Sequence, residues 1–499
     1  MKQFRIPVVG AYTTRIGKIN LQGPYSGYVG IGIVGLMVVG KTAGATQKDA
    51  KFVNCFAETV TDPVTGKKRV YSVKRPGWAS SSTPEAGSIG NQILLWTGNA
   101  NKVISAFGAT NSNIYDGVTL KGAITGKATG LVETKAGANV PTVVISSTDN
   151  TGWYHDTTVP TKIADVDFPG NAGKTLAGTF VQMDGFTGIM DTTGVLWVSD
   201  LNSVTAWTSN SFDSANAYPD AGVGAIRWRH MIMCFGAESC EFFYNAGATP
   251  FPFAKETAKT MKVGAVHADA ITSISDVVFW VGSTPKGGLS VFQYDGVLKK
   301  ISTPDIDTVL ILAGSTNISL SACRYFGRSF LRVKAAEVIY TCCIEENNFW
   351  FEESSLVPLA TKISATSIGN AMVNYAVSNV STSGKVFVMN HAAMVFQDNG
   401  APYTSRMQLD SVDLGTRRMK FWSELEVVAD VEIESSPLTI SYSDDDFTTV
   451  FTRGTVDLSE NRPRFTRLGS SRRRDWILTH AANTPHRIEA IEGTVDIGA

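Results

Sequence analysis

The chain has 499 residues, 43% hydrophobic and 18% charged, which supplies a large core and leaves too little charge for disorder. Its 44 basic and 45 acidic residues give a formal net charge of -1, so bulk attraction to nucleic acid through counterion release is not written into the composition. This length predicts two or more domains, unless a β-propeller takes most of it as one.

The amino terminus, MKQFRIPVVG, lacks the apolar core and cleavage site of a signal peptide. The run Gly27 to Gly40 is too short and too rich in glycine to span a bilayer as a helix, so no stable membrane insertion is expected. Within it, Ile31, Ile33, Val34, Leu36, Met37, Val38 and Val39 would form an exposed apolar patch on a soluble monomer, which predicts an extended interaction loop covered by a partner. Gly35 to Thr42 also fits the phosphate-loop pattern GxxxxGK[ST]. Leu36-Met37-Val38-Val39 is too apolar to cradle phosphates, and the chain has no alternating βα pattern, so a chance match is the better reading.

From Phe52 to Gly77 the chain reads FVNCFAETVTDPVTGKKRVYSVKRPG. An apolar run meets a Pro63–Gly66 turn, and a second β-rich run stops at Pro76-Gly77, where proline fixes φ and glycine accepts a positive φ. This is a two-strand unit opening an all-β chain.

From about residue 85 onward, short β-rich runs alternate with Gly, Asn, Asp, Ser and Thr, and no segment of 12 residues has convincing helical periodicity with caps. Several units share a form, with an apolar run, a turn and then a strand ending in an aromatic beside Asp or Gly. Tyr115, Tyr154, Trp197, Phe243, Phe292, Tyr340 and Phe387 recur 39 to 49 residues apart, the spacing of four-stranded propeller blades. Two consecutive β-sandwiches are the alternative. Past Thr404 the strands lengthen and the tail turns basic. The expected fold is therefore all-β, with N-terminal strands over 1–84, a β-propeller of about seven blades (eight as the alternative) over 85–404, and a C-terminal β-sandwich-like module over 405–499.

The six cysteines form no CxxC pair and no metal spacing, and read as core residues of a chain folded in a reducing cytoplasm. The six histidines are isolated in sequence and sit in no HExxH or HxH context. No catalytic, metal or cofactor-binding residue is expected. Ser443 to Val450 partly matches the Asp-box hairpin S-x-D-x-G-x-T-W of sialidase-type propellers, with Phe447 in place of the glycine and Val450 in place of the tryptophan. That keeps a sialidase-like glycosidase or a carbohydrate-binding propeller as the alternative function, but the carboxylates and tyrosine of a glycosidase are not seen converging. Arg472, Arg473 and Arg474, in SSRRRDW, read either as a solvated edge or as a subunit or channel contact.

Four stretches in order resemble the packaged-DNA stabilisation (tail hub or nozzle) proteins of short-tailed bacteriophages. Residues 52–77 resemble the amino-terminal signature of that family through Asn54, Glu58, Arg75, Pro76 and Gly77. VVFWVGSTPKGGLSVFQYDGVLKKISTPDID (277–307), LTISYSDDDFTTVF (438–451) and RFTRLGSSRRRDWIL (464–478) resemble its later segments, with Asp446-Phe447 standing where the family has a Gly pair. Residues about 16–47 look like an insertion against that pattern. The resemblance implies a virion protein, folded and assembled in the host cytoplasm, that forms a homo-hexameric ring below the portal and adaptor. It also implies contacts with tail fibres or spikes and a tail tip or needle, and duplex DNA passing through without sequence specificity.

Overall fold

The seven recurring aromatics occupy one structural position. Each lies on the third strand of a four-stranded antiparallel blade, six of them separate sheets and the sixth blade part of a larger sheet. The first three strands of blade 1 begin at Gly90, Lys102 and Ser112. Blades 2 to 6 begin at Ala128, Leu176, Gly222, Ile271 and Ile318, and blade 7 at Lys362. The first strands of consecutive blades touch all the way round, blade 7 to blade 1 included, so the chain forms a closed seven-bladed β-propeller. Closure comes from the N-terminal side, where Ala79–Ser82 is the fourth strand of blade 7, pairing Ser80 with Phe387. The computed structural model describes residues 2–7, 51–61, 63–64, 66, 68–136, 140–283, 287–354, 362–368, 371–377, 384–409, 414 and 416–498. The expected interaction loop, Ile31 to Val39, and the phosphate-loop match lie outside these.

Local chemistry explains the hairpins. Asp184-Gly185 joins the first two strands of blade 3 with φ of 51° and 86°, both positive as a two-residue I′ turn requires. Several second strands are apolar on both faces because neighbouring blades cover both. Met231–Gly236 of blade 4, for example, buries Ile232 toward blade 3 and Met233 and Phe235 toward blade 5. Most of the core is thus a series of layers between blades, each fed by alternate residues of two sheets.

An α-helix, Pro304–Ala313, connects blades 5 and 6. Thr303 caps it through Ile306 N, Pro304 begins it, and Gly314 follows with φ of 76°. It buries Ile306, Val309 and Leu310 in the layer between those blades. Among the described residues, no helix is long and apolar enough to cross a membrane.

The remaining strands stack as two sheets that draw on both ends of the chain. Cys55–Thr61, Lys68–Lys74, Arg487–Ile497, Lys420–Ala429 and Arg464–Thr466 pair in that order, and Lys2–Pro7 adds to Arg487–Ile497. The other sheet continues blade 6. Phe349–Glu353 pairs in parallel with Lys51–Val53, which pairs in turn with Ser405–Gln408, then Asp475–His480, Pro437–Ser443 and Phe451–Asp457. The pairings therefore cross the expected chain divisions at 84 and 404. A shared core of Phe56, Trp422, Leu425, Leu438, Trp476 and Ile491 runs into blade 6 at Phe330 and Phe351.

Candidate functional site

The family-like residues at 54–77 form the joint between propeller and terminal sheets. Asn54 takes φ of 56°, a conformation asparagine tolerates, and there the chain passes from the blade 6 sheet into the other one. Its side chain amide donates to Ser354 Oγ at 2.9 Å and to Thr404 O at 2.7 Å. Its Oδ1 accepts from Ser354 N at 3.0 Å and from Arg75 Nε at 2.9 Å. Asn54 thus ties blade 6, the start of the terminal strands and Arg75 together.

Arg75 is buried, with 1% exposure. Its Nη2 meets Asp398 Oδ2 at 2.6 Å and its Nη1 meets Asp398 Oδ1 at 3.2 Å, a bidentate pair. Its guanidinium carbon lies 4.0 Å from the centre of the Tyr403 ring, and the Tyr403 hydroxyl donates to Arg75 O. Asp398 Oδ1 also accepts from Trp78 N at 3.0 Å, next to the strand that closes blade 7. Gly77 N donates to Val395 O at 2.7 Å, and a Cβ on Gly77 would lie 2.1 Å from Gln397 O. Only glycine fits that approach.

Glu58 spans the same joint from the outer sheet. Its carboxylate takes Arg487 Nε at 2.6 Å and, from blade 6, Arg328 Nη1 at 3.2 Å. Arg487 also packs 3.7 Å from the centre of the Tyr71 ring.

Several partners in this joint carry no local sequence signal. A second buried pair, Arg332 with Glu353 at 2.6 Å, lies within blade 6 and is completed by Thr341 Oγ1 at 2.7 Å. Burial alone would raise the Glu353 pKa, but Arg332 and Arg75 outweigh it and hold the carboxyl below its usual range. Lys74, His480 and His486 also meet, although the two histidines look isolated in sequence. Lys74 Nζ donates to Ala482 O at 2.5 Å and lies 3.3 Å from His480 Nδ1, and the two histidine rings are 5.1 Å apart. His480 Nε2 faces Ser436 Oγ at 2.9 Å, and His486 Nε2 faces Ser405 Oγ at 2.6 Å. Burial, then the neighbouring Arg75 charge, lower the Lys74 pKa to about 7. Burial and Lys74 lower His480 to about 3. The cluster is three basic groups whose affinity for a proton desolvation lowers. Among the described residues, no three His, Cys, Asp or Glu side chains gather as a metal site would need, and all six cysteines are free and buried.

The three consecutive arginines separate by depth. Arg474 is buried, pairs with Asp444 through Nε and Nη2 at 2.7 Å each, and stacks 4.0 Å from the Tyr442 ring centre. Arg473 pairs with Asp446 at 2.6 Å. Arg472 is exposed. Arg473 and Arg474 therefore brace the 443–450 hairpin. In it Asp445 Oδ1 accepts from Thr449 N at 2.8 Å and Ser443 Oγ accepts from Phe447 N at 2.9 Å. Asp446 and Phe447, standing where the family has glycines, both take positive φ, at 58° and 63°. The hairpin keeps the glycine backbone without the glycines.

No curated protein sequence matches the chain. The solved structures similar to it include three at TM-scores below 0.5. BamB from Moraxella catarrhalis has 13% identity over 57% of this chain and 78% of its own, with TM-score 0.34. The computationally designed Ika8 protein has 12% identity over 63% and 99%, with TM-score 0.37. BBS1N, crystallised with ARL6DN, has 10% identity over 63% and 97%, with TM-score 0.41. Residues 113–334, from the third strand of blade 1 to the second strand of blade 6, match the family described as Phage_stabilise, Bacteriophage P22 Gp10, beta-propeller, and over that stretch the chain is similar to it.

Proposed function

We propose that the protein is a structural component of a phage tail, forming a hexameric nozzle ring that continues the DNA channel below portal and adaptor. In this reading it retains packaged DNA, lets it pass at ejection, and carries tail fibres or spikes and a tip or needle. The observation that carries the reading is the match of residues 113–334 to the phage stabilisation family. The four family-like stretches support it, because they lie in family order from residue 52 to residue 478. The net charge of -1 is consistent with it, since duplex must slide through the ring and a strongly basic lumen would hold it. The protein has no catalytic role in this reading and stays in the virion.

The test is negative-stain imaging of the purified chain, alone and with portal complexes. Six-fold rings are expected. A protein that stays monomeric in both conditions, or that hydrolyses sialosides, overturns the reading.

A further inference from the structure

One strand of the terminal sheets carries unlike surfaces at its two ends. Just before and at the start of Lys420–Ala429, Arg417, Arg418, Met419 and Phe421 are exposed, Met419 by 41% and Phe421 by 51%. Lys420 organises this end from beneath. Its buried ammonium donates to the carbonyl oxygens of Thr416 at 2.6 Å, Arg418 at 3.3 Å and Arg472 at 2.5 Å. That brings Arg472 beside the other two arginines. A Cβ on Gly498 would lie 3.5 Å from Phe421 Cε2 and 3.8 Å from Met419 Cβ, so both apolar side chains border one spot. Among the described residues, Arg417, Arg418 and Arg472 have no acidic partner.

Beyond the other end the chain runs Asp430-Val431-Glu432-Ile433-Glu434. Ile433 is 101% exposed and Val431 55%. Asp430 is engaged by Arg487 at 2.9 Å, whereas Glu432 and Glu434 have no basic partner among the described residues. A strand of this length spans about 30 Å, so the arginine end and the acidic loop cannot meet within one chain.

We propose that the two surfaces bind each other between successive copies of this chain, the Arg417–Phe421 end of one subunit against the Val431–Glu434 loop of the next. Both present two exposed apolar side chains, and their charges are opposite. Arginine, methionine and an aromatic together are the side chains enriched at interface cores. Each surface repels a second copy of itself, so a symmetric dimer through either is disfavoured. A contact between two different surfaces of identical chains is heterologous, and closes into a ring when its rotation permits. The inference rests on the ring assembly proposed above and names the surfaces that make it.

The test uses two charge-reversal variants of the full chain, Arg417→Glu with Arg418→Glu, and Glu432→Lys with Glu434→Lys. Circular dichroism checks that each stays folded. Each alone is expected to lose rings in sedimentation and negative stain, and an equimolar mixture is expected to regain them, because the altered surfaces complement one another. Ile433→Ser, which leaves charge untouched, should raise the protein concentration needed for rings at least tenfold. Rings that survive all three changes place the interface elsewhere and overturn this inference while leaving the ring reading intact. Loss in both variants without recovery in the mixture overturns it as well. Wild-type protein that forms no rings, either alone or with portal complexes, overturns both readings.

Discussion

Arg75 and Asp398 lie 323 residues apart and meet as a buried, bidentate ion pair, 2.6 Å at its shorter contact, where the propeller closes. Arg75 begins the segment that leads into the closing strand, and Asp398 holds Trp78 N just before that strand starts. The pair therefore fixes the path by which the N-terminal strand reaches blade 7.

Removing Arg75 takes from the buried Asp398 carboxylate the guanidinium that pairs with it through two contacts. Arg75→Met is expected to cost about 3–5 kcal/mol, the usual range for breaking a buried pair. Chemical denaturation of the isolated chain measures it. A cost below about 1 kcal/mol would mean that water reaches Asp398 and that the pair is not sealed.

Gly77→Ala probes the same joint by volume instead of charge. The new Cβ would sit 2.1 Å from Gln397 O, a backbone atom that no rotamer change can move. Overpacking of this kind costs about 1–3 kcal/mol, and this contact belongs at the upper end. Thermal unfolding should show a lower Tm. An unchanged Tm would mean that the 397–402 hairpin shifts freely.

The propeller was legible because its repeat is carried by single residues. Tyr115 through Phe387 mark the third strand of every blade, and their number gives the blade count. The joint was legible only on one side. Asn54, Arg75 and Gly77 stand close together, but Asp398 lies in a hairpin of two-residue strands, Gln397–Asp398 and Ala401–Pro402, too short to leave a pattern. The weaving of both chain ends into one sheet was hidden because alternation tells which face a residue takes and not which strand it pairs with. The helix Pro304–Ala313 had its signals in Thr303, Pro304 and Gly314. Ile311 and Leu312 are exposed, which blurs the apolar stripe of an element only ten residues long.

Arg472 and Arg474 should respond differently although one residue separates them. Arg474→Ala removes a bidentate pair, a hydrogen bond of 2.6 Å to Leu468 O and stacking on Tyr442. Because Asp444 is partly exposed and can rehydrate, the expected loss is about 2–3 kcal/mol, below the full buried-pair range. Arg472→Ala should leave the stability of the isolated subunit within about 0.5 kcal/mol, as exposed sites usually do. Equal losses from the two changes would contradict this division by depth.

The Lys74, His480 and His486 cluster sets how the terminal sheets respond to pH. His480 titrates near 3 when folded, against 6.5 ordinarily, so between those values the unfolded chain binds the extra proton. Stability is therefore lost as pH falls from about 6.5 toward 3, and burial drives His486 in the same direction. For Lys74, folded near 7 against 10.5 ordinarily, the unfolded chain binds more protons between those values. Its penalty is complete below about 7 and fades as pH rises toward 10.5. The charged neighbours are Arg75, which opposes the Lys74 proton, and Asp398, which is already committed to Arg75. Denaturation midpoints measured across both windows should fall on acidification. Lys74→Met should flatten the upper window, and His480→Gln the lower one. Slopes identical to wild type in both variants would show that water enters the cluster and that desolvation does not control it.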